Sequence, residues 1–130
     1  MKLLLDTHVW IWWHVRPGAL SKRVRSAMAA SSDELLLSAI SVWELAKLIE
    51  KGRLGLSCDP EEWIEQALRM PRLRLVPLSP RVAYRSTALP EPFHEDPADQ
   101  IIVATARDED ATLLTRDERL LSYPHVRALW

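Results

Sequence analysis

Short, mostly apolar runs recur along the chain and constrain its fold more than any other feature. The predicted strands are residues 3–5 (LLL), 35–38 (LLLS), 73–78 (LRLVPL), 112–115 (TLLT) and 126–129 (VRAL). The run at 3–5 is continuous rather than alternating, which is typical of a strand buried on both faces of a parallel sheet, and we expect 35–38 to be buried as well. Helix-length segments separate them, and this alternation predicts an α/β fold with helices on both faces of the sheet.

Local signals predict where several of the helices begin. Three pairs of a capping residue and a proline, at 59–60, 79–80 and 96–97, have the chemistry of an N-cap followed by the first helical residue. Ser41 and Glu44 have the spacing of a capping box, in which each side chain bonds the backbone of the other. We therefore predict that Ser41 caps the helix that carries Glu44.

Length and composition indicate a single globular domain spanning residues 1–130. Apolar residues make up 48% of the chain and charged residues 27%, which is ordinary usage for a packed domain. The longest apolar stretches are far shorter than the ~20 residues of a membrane span, and Asp6 interrupts any signal-peptide core, so we expect a cytoplasmic protein without membrane contact. Cys58 is the only cysteine, which excludes an internal disulfide.

Acidic residues collect where a parallel sheet binds its ligands, at the carboxyl ends of the predicted strands. Asp6 ends the first apolar run, Glu44 follows the second, Asp99 opens the helix before the fourth, and Asp117 follows the fourth. Each acid alone is better explained as a helix cap or a turn residue than as part of a site. Together they would repel one another unless a cation neutralised them, and acids without histidine or thiolate companions favour Mg²⁺ or Mn²⁺ and phosphoryl chemistry.

These residues lie in segments that resemble a known family. The segments 3–13 (LLLDTHVWIWW), 40–56 (ISVWELAKLIEKGRLGL), 96–106 (DPADQIIVATA) and 113–120 (LLTRDERL) are similar to the successive motifs of PIN-domain ribonucleases, specifically the VapC-type toxins of toxin–antitoxin pairs. The resemblance extends from residue 1 to about residue 121. It implies a PIN-like three-layer α/β/α sandwich whose central parallel sheet has four to five strands.

The resemblance also implies a metal-dependent endoribonuclease that cleaves RNA such as tRNA or rRNA. Its acid quartet, which would bind Mg²⁺ (or Mn²⁺) and act in catalysis, consists of Asp6, Glu44, Asp99 and Asp117. Asp96 would be either the helix cap or an auxiliary acid of the metal site. The family's aromatic and basic residues around Asp99 are replaced here by Ala98 and Gln100, which puts a phosphate or antitoxin contact in doubt but not the acids.

Four further residues beside the acids are candidates for substrate binding. Thr7, Ser41 and Thr115 carry hydroxyls that can bond a metal-bound water or a phosphate, and as strand-end groups they serve equally well as caps. Arg116 is a candidate phosphate contact or a solvated residue at a helix start. Two basic segments, 16–25 and 69–85, are either RNA contacts or solvated faces.

Partners follow from the same resemblance. It implies a cognate VapB-like antitoxin whose tail blocks the acidic crevice, and a homodimer that can join a larger toxin–antitoxin assembly. The candidate aromatic anchors for that tail are Trp10, Trp12, Trp13 and Trp43. Two other functions remain open at this point, a non-catalytic PIN-fold module that binds RNA or protein and a DNA-cleaving PIN nuclease.

Overall fold

The computed structural model describes residues 1–30 and 32–130, and within them five parallel strands form one sheet in the order β3-β2-β1-β4-β5. The strands are β1 (Lys2–Leu5), β2 (Glu34–Ser38), β3 (Leu73–Val76), β4 (Thr112–Leu114) and β5 (Ala128–Leu129). The helices are α1 (Thr7–Val15), α2 (Lys22–Ala29), α3 (Ala39–Glu50), α4 (Pro60–Leu68), α5 (Pro80–Ser86), α6 (Pro97–Asp108) and α7 (Glu118–Leu121). The predicted α/β fold with a central parallel sheet is confirmed.

Alternate residues of the central strands enter two separate cores, one on each face of the sheet. Leu3 and Leu5 of β1 pack into the core that is covered by α1, α2, α3 and α4. Leu4, between them, packs into the opposite core with α6 and α7. All three leucines are at most 1% exposed, so β1 is buried on both faces. The three layers α/β/α follow directly from this unbroken apolar run.

The strand order of the sheet changes direction beside β1, and this topological switch point creates a crevice. The chain passes from β1 outward to β2 and β3 on one side, and then returns to place β4 on the other side of β1. The connections that leave β1 and β4 therefore diverge, which opens a gap at the carboxyl ends of these two strands. The backbone N–H of Asp6 donates to the carbonyl of Leu114 across this point at 3.0 Å.

The predicted caps at 59–60, 79–80 and 96–97 are confirmed, but the predicted cap of α3 is wrong. Ser38 caps α3, with its Oγ accepting from the backbone N of Ile40 at 3.2 Å. The helix thus begins before Ser41, which lies inside its first turn, because two nearby serines both have the chemistry of a cap. Glu44 consequently lies in the second turn, where its carboxylate is not needed by the backbone.

The tryptophans of α1 are less accessible than the sequence predicted. Trp10 is completely buried and packs edge-to-face on Trp63, with ring centroids 5.4 Å apart. Its proposed role as a partner anchor is therefore wrong, because its surface is already used in the core. Trp12 and Trp13 are partly buried against the same core.

No helix in the described ranges combines the length and the apolar character that crossing a membrane requires.

Candidate active site

The acids predicted to act together line one crevice at the carboxyl ends of β1 and β4. The crevice has a volume of about 800 Å³. Asp6 reaches it from the end of β1, Glu44 from α3, Asp99 from the first turn of α6, and Asp117 from the N-cap of α7. Asp96, which caps α6, lies on the same wall. Residues far apart in the sequence thus converge at the reversal of the sheet.

Asp6 is the most firmly held acid of the quartet. It is 4% exposed, and its Oδ1 accepts from the backbone N of Thr7 at 2.8 Å. Its Oδ2 accepts from the hydroxyl of Thr115 at 2.6 Å, which ties the end of β1 to the end of β4. The Nδ1 of His8 lies 3.5 Å from the same oxygen. These contacts fix the Asp6 carboxylate at the base of the crevice.

The hydroxyl of Thr7 holds the Glu44 carboxylate, while the surroundings destabilise its charged form. Thr7 donates to the Glu44 carboxylate, and its Oγ1 lies 2.8 Å from the Oγ of Ser41. Burial raises the pKa of Glu44 to about 7; the bond from Thr7 offsets part of this rise, while the nearby carboxylates of Asp6 and Asp99 add to it. The charged form of Glu44 is therefore disfavoured unless a cation stabilises it.

Asp99 is in a similar environment. It is 8% exposed, and burial raises its pKa above the ordinary range. A contact of 2.7 Å between its Oδ2 and the Nε2 of His94 opposes that rise, whereas the carboxylates of Asp96 and Asp6 increase it. As expected from its position as the third residue of α6, its own backbone N bonds the Asp96 cap at 3.2 Å. His94 is a contact of the quartet that sequence reasoning did not identify.

Arg119 is the second group that sequence reasoning missed. Its Nη2 donates to Oδ2 of Asp117 at 2.9 Å and lies 3.4 Å from Oδ2 of Asp99. The hydrogen bond from Arg119 lowers the pKa of Asp117 below its usual range. The segment RDER gives no sign of this role, because an arginine at a helix start is normally a solvated charge. In the fold it is the guanidinium that lines the acidic end of the crevice.

The four predicted substrate contacts lie in two different environments. Thr7, Ser41 and Thr115 are at most 6% exposed, and Thr7 and Thr115 donate to acids of the quartet. This arrangement makes the hydroxyls well suited to position the acids. Arg116 is exposed, with its guanidinium 6.0 Å from the ring of Trp12, and is not among the residues that line the crevice. Contact of any of the four with substrate stays a prediction.

The donor chemistry of the quartet fits a hard divalent cation. Within residues 1–30 and 32–130, no three acid, histidine or cysteine side chains already converge as ligands of one ion. The quartet nevertheless offers carboxylate oxygens alone, the ligands that Mg²⁺ and Mn²⁺ prefer. A cation would also relieve the repulsion that raises the pKa values of Glu44 and Asp99. An ion held by Asp99 and Asp117 would compete with Arg119 for these two carboxylates.

The crevice continues beyond the acids along α3 and changes character there. Trp43 and Leu78 line this part, and they are 54% and 47% exposed. Lys47, Lys51 and Arg53 line it as well. The sequence analysis had proposed the basic segments 16–25 and 69–85 as RNA contacts and did not identify these three residues. Only the fold shows which basic residues share a crevice with the acids.

Comparisons with known proteins agree with this architecture. A family model described as the PIN domain matches residues 3–126. Ribonuclease VapC22 of Mycobacterium tuberculosis (strain ATCC 25618 / H37Rv) is 41% identical over 125 residues, which cover 96% of this chain and 94% of that protein.

Two solved structures with low sequence identity share the fold. The structure of VapBC2 from Rickettsia felis bound to a DNA fragment from their promoter matches with a TM-score of 0.67 and 17% identity, over 99% of this chain and 98% of that chain. A toxin–antitoxin complex from Klebsiella pneumoniae matches with a TM-score of 0.65 and 23% identity, over 95% of this chain and 94% of that chain. The family match spans nearly the whole chain, and the identity to the mycobacterial protein is high over the same length, so this chain belongs to the PIN domain family.

Proposed function

We propose that this chain is a Mg²⁺- or Mn²⁺-dependent endoribonuclease and the toxin of a toxin–antitoxin pair. The observation that carries the proposal is the convergence of four acids, from four separate elements, on one crevice at the reversal of the sheet. The 41% identical relative is named a ribonuclease, which supports RNA as the substrate class. tRNA and rRNA are the substrates to be tested first.

In this proposal the acid quartet holds the cation, and Asp96 assists while it caps α6. When bound, a divalent ion polarises the scissile phosphate, lowers the pKa of a coordinated water and stabilises the leaving oxygen. Asp6 supplies the most rigid ligand, since Thr115 and the backbone of Thr7 already fix both of its oxygens. A rigid carboxylate of this kind keeps the reacting groups aligned without reorganisation.

Arg119 has a second role in the proposed reaction, which is to contact the RNA phosphate. Arg119 is exposed and bonds Asp117 and Asp99; with a cation held by these acids, its guanidinium would be available to bind a non-bridging phosphate oxygen of the RNA. Attack of water on phosphorus then breaks the bond to the 3′ oxygen. The products are a 5′-phosphate and a 3′-hydroxyl end.

Control by an antitoxin follows from the same chemistry. The solved structures that share the fold include toxin–antitoxin complexes, and a crevice of carboxylates is suited to bind an arginine from a partner's tail. Arg119 supports this, because its guanidinium already bonds Asp117 and lies near Asp99, which shows that these acids accept a guanidinium. We expect a VapB-like partner to inhibit by placing an arginine there. A homodimer of the toxin remains a prediction.

The test is cleavage by the purified chain of tRNA and rRNA, with a single-stranded DNA of equal length as control. We expect RNA cleavage with Mn²⁺ or Mg²⁺ that stops in EDTA and leaves 3′-hydroxyl ends. Cleavage of DNA in preference to RNA would make the chain a DNA-cleaving PIN nuclease. RNA binding without turnover under any divalent cation would make it a non-catalytic module.

A further inference from the structure

Trp43 is the most exposed of the six tryptophans, and it lies beside the acids. Its side chain is 54% exposed and lines the same crevice as Asp6, Asp99 and Asp117. It directly precedes Glu44 on α3, so its backbone position is fixed by the helix that positions an acid of the quartet. An exposed aromatic ring that lines a crevice beside the acids offers a flat apolar surface to a ligand.

Positive charge follows Trp43 along the crevice. Lys47 lies one helical turn further, with its Nζ 5.8 Å from the centroid of the Trp43 ring. Lys51 and Arg53 extend the basic wall past the end of α3, and both are exposed. Residues 43 to 51 span about 12 Å along a helix axis. The crevice therefore presents an acidic end, then an aromatic ring, and then a row of cations.

This order of charges matches a short segment of a single strand. A scissile phosphate requires the cation site, its neighbouring base requires a flat apolar surface, and the next phosphate requires positive charge. Aromatic rings interleaved with basic residues are the usual means of binding single-stranded nucleic acid, because every base has a face that can stack. Leu78, 47% exposed on the same crevice, adds apolar surface for the base.

We propose that Trp43 is the platform on which a base of single-stranded RNA stacks next to the scissile phosphate, while Lys47, Lys51 and Arg53 hold the phosphates that follow. The inference rests on the proposed ribonuclease function and adds a binding subsite to it. Because stacking on an aromatic ring is tolerant of sequence, the platform favours an unpaired base over a paired one rather than one base type. The chain thus selects unpaired segments of RNA.

The test compares two probes in a background that does not turn over. Fluorescence anisotropy with Mn²⁺ measures binding of a labelled ten-nucleotide mixed-sequence RNA to the D99N protein, and binding of a base-free sugar–phosphate strand of equal length. We expect Trp43→Ala to weaken RNA binding by about tenfold, which is within the range of one base stack. Trp43→Phe should retain most of the affinity, because it keeps a ring. The base-free strand should bind both variants equally.

Tyr84→Ala is the matched control. Tyr84 is 73% exposed on α5 and does not line the crevice, so its loss removes an exposed ring of similar kind elsewhere. It should leave RNA binding unchanged. Melting curves of all variants check that each is folded, and the exposure of both rings makes retention of the fold the expected result.

Two results would overturn the proposal: unchanged RNA binding by Trp43→Ala, and an equal loss on the base-free strand. Unchanged RNA binding together with a weakened antitoxin complex would also assign the ring to the antitoxin interface. Failure of the wild-type chain to cleave any RNA would contradict the proposed function instead, and that assay is independent of the binding measurement. The two proposals can therefore fail separately.

Discussion

The two ends of the sheet use the same kinds of side chain in opposite ways. Near the amino ends of the strands, each acid has a basic partner: Glu109 bonds Lys2 at 3.1 Å and Arg74 at 3.2 Å, and Arg74 bonds Glu34 at 2.6 Å. Partial burial alone would raise the pKa of Glu109, but these hydrogen bonds outweigh it and hold the pKa below its ordinary value. This end is electrostatically satisfied.

At the carboxyl ends, acids face other acids. Burial and neighbouring carboxylates raise the pKa values of Glu44 and Asp99, although hydroxyl and histidine partners are within bonding distance. Arg119 bonds two members of the quartet, and its side chain is exposed. The difference indicates that the acidic end is suited to bind a cation, because Arg119 neutralises only part of its negative charge.

The largest effect should follow removal of one acid from the carboxyl end. Asp99→Asn should lower RNA cleavage by at least about 100-fold, because a cation contributes several kcal/mol to phosphoryl transfer. Stability should change little, since an amide avoids the charge that burial disfavours. The measurements are kcat on a fixed RNA and the melting temperature. Wild-type turnover in this variant would show that Asp99 is not part of the active site.

The next effect concerns the guanidinium that partly neutralises the acidic end. Arg119→Ala should tighten Mn²⁺ binding by about fivefold, because an exposed ion pair contributes up to roughly 1 kcal/mol and must be broken when the ion binds. Titration calorimetry measures this affinity. Arg116→Ala is the control, since Arg116 packs over Trp12 and does not line the crevice. Weaker Mn²⁺ binding without Arg119 would mean that this residue holds the acids in place for the ion.

The two ends should also respond to pH with opposite signs. Glu44 has a folded pKa above its unfolded value, so the fold loses stability as pH rises from the ordinary carboxyl range to about 7, and the loss is complete above that pH. Glu44→Gln should therefore stabilise the metal-free protein at pH 8 by roughly 1 kcal/mol and have little effect at pH 5. Denaturant unfolding in EDTA at the two pH values measures this. A gain of equal size at both values would exclude ionisation as the cause.

The smallest effect is expected at the amino end. Glu109→Gln should lower the free energy of unfolding at pH 7 by about 0.5 to 1 kcal/mol, because bonds to Lys2 and Arg74 weaken when the charge is lost. This contribution should disappear as pH falls below the ordinary carboxylate range, since the folded pKa is lowered. RNA cleavage should be unaffected. A large loss of cleavage would show that the two ends are coupled.

Sequence patterns were sufficient for the features that depend on local chemistry. The short apolar runs predicted the strands, and the acids at their ends predicted the crevice, because parallel strands bring their carboxyl ends to one edge. The cap of α3 was misplaced, since Ser38 and Ser41 have the same local chemistry and only packing selects between them.

Features that depend on the reach of long side chains could not be predicted. Arg119 contacts Asp99 from a different helix, and the interaction of His94 with the same acid depends on the path of the loop before α6. The burial of Trp10 and the exposure of Trp43 likewise follow from which helix faces pack together. Tertiary packing decides these outcomes, and no local pattern encodes it.

The measurement that tests the central claim most directly is the shift in melting temperature produced by millimolar Mn²⁺ in three proteins. If the acidic end is a cation site, Mn²⁺ binds the folded state selectively and raises the melting temperature of the wild type and of Glu109→Gln by the same amount. Asp6→Asn, which removes the most rigid carboxylate, should show little or no rise. An equal rise in all three proteins, or none in the wild type, would contradict a metal-dependent site at the carboxyl ends of β1 and β4.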